Sequence, residues 1–311
     1  MPTDFDAATW HAARAKVVGA SEVSALFGVQ PPYAMSHYTL AMVKSGRIAP
    51  PDVPGERPKW GLRLEEIIGA AVAEEHGWLV ERPILRHITH PRVAGMGCTL
   101  DFVAKKNGVN GVIETKNSDW LIHKRQWGDE PPAHVLLQLQ HQLSCCDAEW
   151  GAVACLVGGN HLEVYEYDRN AKIVAEIERR VAVFWQSIRD GKVPPVDGSD
   201  STAGTLHTLF PEDDGIEVPA DLTADNILPE LCGQYIDALT REKVADEDRT
   251  KARNAILAKL GEHREAWCQG YLIKAPAIPY NPGTLITEAM VGTFIGARKG
   301  SRRLSLKETQ Q

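Results

Sequence analysis

The sequence predicts an α/β fold. Stretches of β-branched and apolar residues with period-two alternation are interleaved with stretches of helical period. Two of the strand pairs close on tight-turn residues, Lys106-Asn107-Gly108 and Gly158-Gly159-Asn160. The bulk composition agrees: 311 residues, 43% hydrophobic and 24% charged, is ordinary for a soluble globular chain of one large or two modest domains.

Ala7 to Val18 has helical periodicity and carries Arg14; Gly19 stops it. A second helix is expected over Ser21 to Phe27, with Ser21 at its N-cap. Arginine, a hydroxyl and a helix start together make a phosphate pocket, while a capped helix with a surface arginine is the plainer reading. Tyr38 to Lys44 is helical, and Arg47 to Pro58 is a Pro/Gly-rich loop. Trp60 to His76 then forms an amphipathic helix whose inward stripe is Leu64, Ile67, Ile68, Ala71 and Val72. Glu65 borders that stripe, as a snorkelling surface group or as a carboxylate aimed into a cleft.

A strand from Trp78 to His87, interrupted by Pro83, leads to the central hairpin of Gly97–Ala104 and Gly111–Lys116. Side chains alternate along a strand, so Glu114 and Lys116 share one face and Ile113 and Thr115 the other. Asp101, on the partner strand, brings a second carboxylate to Glu114. Two acidic side chains, the carbonyl of Thr115 and a lysine suit a hard cation and a water molecule, the chemistry of metal-assisted phosphodiester hydrolysis. A cross-strand salt bridge on a wet sheet face uses the same residues. Ser118 to Pro132 is a polar loop, and Ala133 to Cys146 is a helix bearing Gln138, Gln140, His141 and Gln142, not all of which can face a core. Strands Gly151–Leu156 and His161–Tyr167 and a helix over Ile173–Ile188 complete the first unit.

Residues 191–219 turn to Pro, Gly, Ser, Thr and Asp and are expected to form a linker between a core at 1–190 and an extension at 220–311. Leu228 to Trp267 is a long helix or helical hairpin. Strands are expected at Gly270–Ile278, Gly292–Ile295 and Arg303–Leu306, with a basic run at Ala297–Arg303. The net charge of −7 excludes a generally basic nucleic-acid coat but leaves room for arginines within a cleft. The six cysteines have no C-x-x-C spacing, lack a fourth ligand for an iron–sulfur cluster and read as free thiols of a reducing compartment. No apolar run is of membrane-spanning length and no signal-peptide pattern is seen, so a cytoplasmic location is expected.

Four pieces in order resemble the phage lambda exonuclease, or YqaJ-type viral recombinase, family of PD-(D/E)xK nucleases: Trp10…Arg14…Gly19-Ala20-Ser21-Glu22-Val23, Trp60-Gly61-Leu62-Arg63-Leu64-Glu65, Asp101 with Glu114-Thr115-Lys116, and Gln138-Leu139-Gln140. The resemblance implies a nuclease core with a central mixed sheet flanked by helices, over roughly the first 170 residues. It also implies that Asp101, Glu114, the Thr115 carbonyl and Glu65 hold one or two Mg²⁺ or Mn²⁺ ions, and that Lys116 and Gln138 manage the attacking water. By the same resemblance, Arg14 and Ser21 grip a terminal 5′-phosphate. The implied activity is 5′→3′ digestion of linear double-stranded DNA from its ends, leaving 3′ tails, by a ring-shaped homo-oligomer with a possible single-strand annealing protein as partner. The family's Ser-Pro-Asp-Gly turn is replaced by Thr99-Leu100-Asp101-Phe102, so the strand is expected to run on through Asp101; an additional acidic residue of close relatives is replaced by His90-Pro91. An endonuclease on the same fold and a non-catalytic DNA-end-binding protein are the alternatives.

Overall fold

The computed structural model describes residues 13–51, 55–213, 215 and 220–277. The chain divides into two compact units, Met1–Pro211 and Glu212–Gln311. In the first, a five-stranded mixed sheet has the order β1 (Leu79–Glu81), β4 (Phe102–Lys106), β5 (Val109–Ser118), β6 (Trp150–Val157), β7 (His161–Asp168). The β5–β6 pair is parallel and the others antiparallel. A parallel pair needs a crossover, here α3 (Trp120–Gln126) and α4 (Ala133–Cys146). A separate ribbon pairs β2 (His87–Thr89) with β3 (Gly97–Thr99).

The alternation of β5 divides the core. Val112 packs with Val153, Cys155, Leu139 and Leu143 on the α4 side. Ile113 packs with Phe102, Ala152, Ile68 and Val72 on the other side, under α2 (Glu56–His76). Gly69 lets α2 approach β4, because a Cβ there would lie 2.6 Å from the Phe102 ring. Asn107 and Gly108, both at positive φ, turn β4 into β5 as the dipeptide predicts.

Several expected boundaries move. Residues 13–18 of the expected first helix fall among the described residues: 13–15 are helical, but the helix ends before Lys16, and Val18 makes a β-bridge to Met96 instead. The segment after Gly19 is a five-residue 3-10 helix, Val23–Phe27, with Glu22 rather than Ser21 at its N-cap and no side-chain cap bond; one turn and a half is too short to settle into an α-helix. Ile67 is 62% exposed, so the buried stripe of α2 is Ile68, Gly69 and Val72. The expected strand Trp78–His87 is split at Arg82-Pro83, proline lacking the donor a central strand needs, and its ends join different sheets. The strand from Gly97 to Ala104 breaks at Leu100-Asp101 instead of running on. The loop 118–132 contains α3, capped by Asp119, whose Oδ1 accepts from the Leu121 and Ile122 amides.

The segment expected as a linker contains α6 (Asp200–Leu209), which packs on α1 (His37–Lys44) after α5 (Ala171–Arg189). Its polar composition serves a buried hydroxyl seam: the Ser36 and Thr202 hydroxyls are 2.8 Å apart, as are those of Thr39 and Thr205. In the second unit, α7 (Leu228–Leu260) is one 33-residue helix, and β8 (Glu265–Cys268) pairs with β9 (Tyr271–Lys274). Trp267 is therefore strand rather than helix. The expected strands at Gly292–Ile295 and Arg303–Leu306 and the basic run lie outside the described residues. Cys98, Cys145 and Cys155 are buried, Cys146 and Cys232 half-buried and Cys268 exposed; all six are free thiols. No described helix is long and apolar enough to cross a membrane.

Candidate active site

Glu114 is 4% exposed at the middle of β5, on the face that meets α4. Three donors converge on it. Lys116 Nζ and Gln138 Nε2 each reach Oε1 at 2.6 Å, and Gln142 Nε2 reaches Oε2 at 2.6 Å. Gln138 also accepts from Lys116 Nζ at 3.0 Å, so its amide bridges acid and amine. Gln138 and Gln142 are four apart on α4 and share a helical face. Gln140 points away, donating to the Asp168 carbonyl and accepting from the Asn170 amide.

Asp101 stands where the chain leaves the sheet. Continuing the register that sets Phe102 opposite Ile113 would put Asp101 opposite Glu114. Its Oδ2 instead accepts from the Thr115 amide at 2.9 Å and the Thr115 hydroxyl at 2.8 Å. Glu65, on α2, accepts from Arg82 at 3.0 Å and Arg86 at 3.1 Å. Arg86 also reaches Asp101 Oδ1 at 3.4 Å and the Leu100 carbonyl at 3.1 Å. One guanidinium therefore spans the two carboxylates.

The electrostatics tie these groups together. Burial and the charge of Asp101 push the Glu114 carboxyl up to about 7, against the opposing pull of Lys116 and Gln142. Burial and the same Asp101 charge also raise Glu65, with Arg86 and Arg82 opposing. For Lys116, burial acts to lower the ammonium, but the charge and hydrogen bond of Glu114, helped by Asp101, leave it raised. Carboxylate oxygens are the donors a divalent cation prefers, and burial together with the Asp101 charge already drives Glu114 and Glu65 toward the protonated form, which a cation would reverse. Among the described residues no three His, Cys, Asp or Glu side chains stand ready-made around an ion.

Arg14 and Ser21 line a cavity of about 140 Å³ together with His87, Thr99 and Gln138. Ser21 is exposed there, not capping a helix. Arg14 lies 3.7 Å from Glu22. Glu22 in turn accepts from the Gly19 amide at 2.7 Å and pairs with Lys44 at 2.8 Å. Lys44, with a side chain only 2% exposed, also donates to the Arg14 carbonyl at 2.9 Å and so fixes the backbone under the arginine. Burial lowers the Lys44 ammonium, with Glu22 opposing. A wider cleft of about 550 Å³, around Lys106, Trp150 and Glu166, touches none of these residues.

The structure thus brings Glu114, Lys116 and Gln138 into direct contact, links Asp101 to Thr115 and to Glu65 through Arg86, and sets Arg14 and Ser21 on one cavity with Gln138. Sequence reasoning named Gln142 only as one of several polar residues on its helix, and gave no part to Arg82, Arg86, His87 and Thr99. The i, i+4 spacing of Gln138 and Gln142 was a usable signal for the first; a half-buried Glu65 needing counter-charge was one for the arginines.

With this geometry in place, known proteins can be set beside the chain. Residues 9–149 match the YqaJ-like viral recombinase domain family. The match spans somewhat less than half of the chain. Among solved structures, it is similar to an alkaline exonuclease, LHK-Exo, from Laribacter hongkongensis (22% identity, 59% of this chain and 93% of that one, TM-score 0.48). It is also similar to LHK-Exo in complex with dAMP (21%, 58% and 91%, TM-score 0.47). A third is a phage-related exonuclease from Haemophilus somnus 129PT (12%, 56% and 94%, TM-score 0.43). No curated protein matches the chain in sequence.

Proposed function

We propose that the protein is a metal-dependent 5′→3′ exonuclease of the PD-(D/E)xK type, acting on the ends of linear double-stranded DNA and leaving 3′ single-stranded tails. The support is one arrangement: a buried carboxylate held by Lys116, Gln138 and Gln142, with Gln138 also lining the cavity of Arg14 and Ser21. A single amide is then shared between the hydrolytic group and an anion pocket. The distance from the pocket to Glu114 fixes which phosphodiester is cut, which is the property an exonuclease needs.

Asp101, Glu114 and the Thr115 carbonyl would hold Mg²⁺ or Mn²⁺, with Glu65 assisting a second ion. When bound, the metal supplies an activated water and charge stabilisation at the phosphate. Lys116, bound to Glu114, is placed to orient that water and to sit beside the charge developing on the phosphate oxygens. Gln138 holds Lys116 and Glu114 at a fixed separation. Gln142 keeps the second Glu114 oxygen satisfied, so that the acid can stay ionised in a buried place. Arg14 takes the 5′-phosphate, with Lys44 and Glu22 setting its backbone and side chain. Closure of several copies into a ring around DNA would keep a chain of net charge −7 on its substrate, and an annealing protein would take up the 3′ tails.

The test is a linear duplex labelled at either the 5′ or the 3′ end. Early release of the 5′ label as a mononucleotide is expected. Early release of the 3′ label, or of internal fragments, would refute the polarity.

A further inference from the structure

The cavity beside the candidate active site is lined in part by an imidazole, His87, to which the proposed function gives no part. His87 lies on β2 opposite Thr99 of β3. Both ring nitrogens are buried, and neither has a hydrogen-bond partner among the described residues. Buried ring nitrogens without partners are costly even on a half-buried histidine, because the neutral ring always carries one donor and one acceptor. Its neighbours do not relieve that cost. Ser21, Thr99 and Gln138 line the same cavity, yet none of them bonds to the ring. The charge that bears on His87 is the guanidinium of Arg14; together with burial it lowers the ring's basicity. Glu22 stands behind Arg14 and is committed to it, to Lys44 and to the Gly19 amide. The cavity is the open side of His87, and beside the Arg14 guanidinium the ligand whose chemistry suits it is an anion with acceptor oxygens, reached by a small turn of the ring.

We propose that His87 is a specificity-determining residue of this pocket, donating a ring N–H to the terminal 5′-phosphate of a DNA strand and so distinguishing it from a 5′-hydroxyl. The inference rests on the exonuclease reading and adds a residue to it. The chemistry favours a monoester. A terminal phosphate carries between one and two negative charges near neutral pH and three acceptor oxygens. One guanidinium does not use all of those acceptors, and an imidazole donor from β2 takes another. A hydroxyl end offers one oxygen without charge and would leave the histidine unanswered.

The experiment is equilibrium binding, with the full chain in the presence of a chelator so that no digestion occurs. Short fluorescent duplexes carry 5′-phosphate or 5′-hydroxyl ends. Wild type should favour the phosphorylated end. In His87→Ala that preference should fall about tenfold, the usual worth of one hydrogen bond to a charged group. His87→Asn, which retains an N–H, should recover part of it. Thermal unfolding of the same samples checks that the variants are folded. A wild-type ratio in His87→Ala, or an equal loss for both ends, would overturn the role of His87 and leave the exonuclease reading standing. Failure of wild type to discriminate the ends would remove the pocket itself. Should neither variant fold, nuclear magnetic resonance of the wild-type imidazoles with added inorganic phosphate decides: a shift of His87 supports the role, and an unmoved resonance refutes it.

Discussion

Gln142 is the residue whose removal bears most sharply on the account. Its side chain is fully buried and donates to Glu114 Oε2 at 2.6 Å, leaving that oxygen one strong donor in a dry place. Gln142→Met keeps the length and approximate volume and deletes the donor. A hydrogen bond to a buried charge contributes about 1.5–3 kcal/mol, so its loss should raise the Glu114 carboxyl by about 1–2 pH units. The starting value is about 7. For a rise in the middle of that range, the ionised fraction at pH 7.5 would drop from about three-quarters to about one-tenth, a loss of roughly eightfold in metal affinity and digestion rate. The assay is Mg²⁺-dependent digestion of linear duplex from pH 6 to pH 9. The variant should reach half its maximal rate about 1–2 pH units higher than wild type and approach the wild-type rate at the alkaline end. A folded variant with an unmoved pH profile would refute the claim that Gln142 sets the ionisation of Glu114.

Other outcomes follow from the same geometry. Lys116→Ala should bind DNA ends and fail to digest them, losing about 10²-fold or more in rate, as removal of a single charge-stabilising donor does elsewhere; a gel-shift and a digestion assay read the two halves. Glu114 also predicts a pH dependence of stability. Its folded-state carboxyl is raised above the ordinary 4.5, so the folded protein keeps a proton that the unfolded chain has released, and stability falls as pH rises between about 4.5 and about 7. In metal-free denaturant titrations this loss should be on the order of 3 kcal/mol and should flatten in Glu114→Gln. Gly69→Ala drives a Cβ into the Phe102 ring and should lower stability by about 1–3 kcal/mol, measured by urea unfolding. Thr202→Val breaks the hydroxyl seam between α1 and α6, leaving Ser36 Oγ with one fewer partner, and should cost about 1–2 kcal/mol by the same method.

The parts of the fold legible in sequence were those whose signal is local. Asn107-Gly108 specifies a turn because both residues take positive φ, and the two-residue period of β5 is enough to put Glu114 and Lys116 on one face. What was not legible depends on longer range or on competing local rules. Leu100-Asp101 contains neither proline nor glycine, so nothing local marks the break; it follows from Asp101 turning to the Thr115 amide and hydroxyl. The segment 191–219 reads as a linker because its hydroxyls look solvated, yet they pair across α1 and α6. Three glutamines on α4 cannot be sorted by composition. Their i, i+4 spacing selects Gln138 and Gln142 over Gln140, and the carboxylate they share lies 24 and 28 positions away. The arginines at 82 and 86 sit where Pro83 interrupts a strand, and only the fold brings them to Glu65.

The central claim is most directly tested by incubating equal amounts of linear and covalently closed circular duplex with the wild-type protein, in Mg²⁺ and in chelator. Mononucleotides should appear from the linear form alone, and only with the metal. Cleavage of the closed circle, or digestion that persists in chelator, would contradict the account.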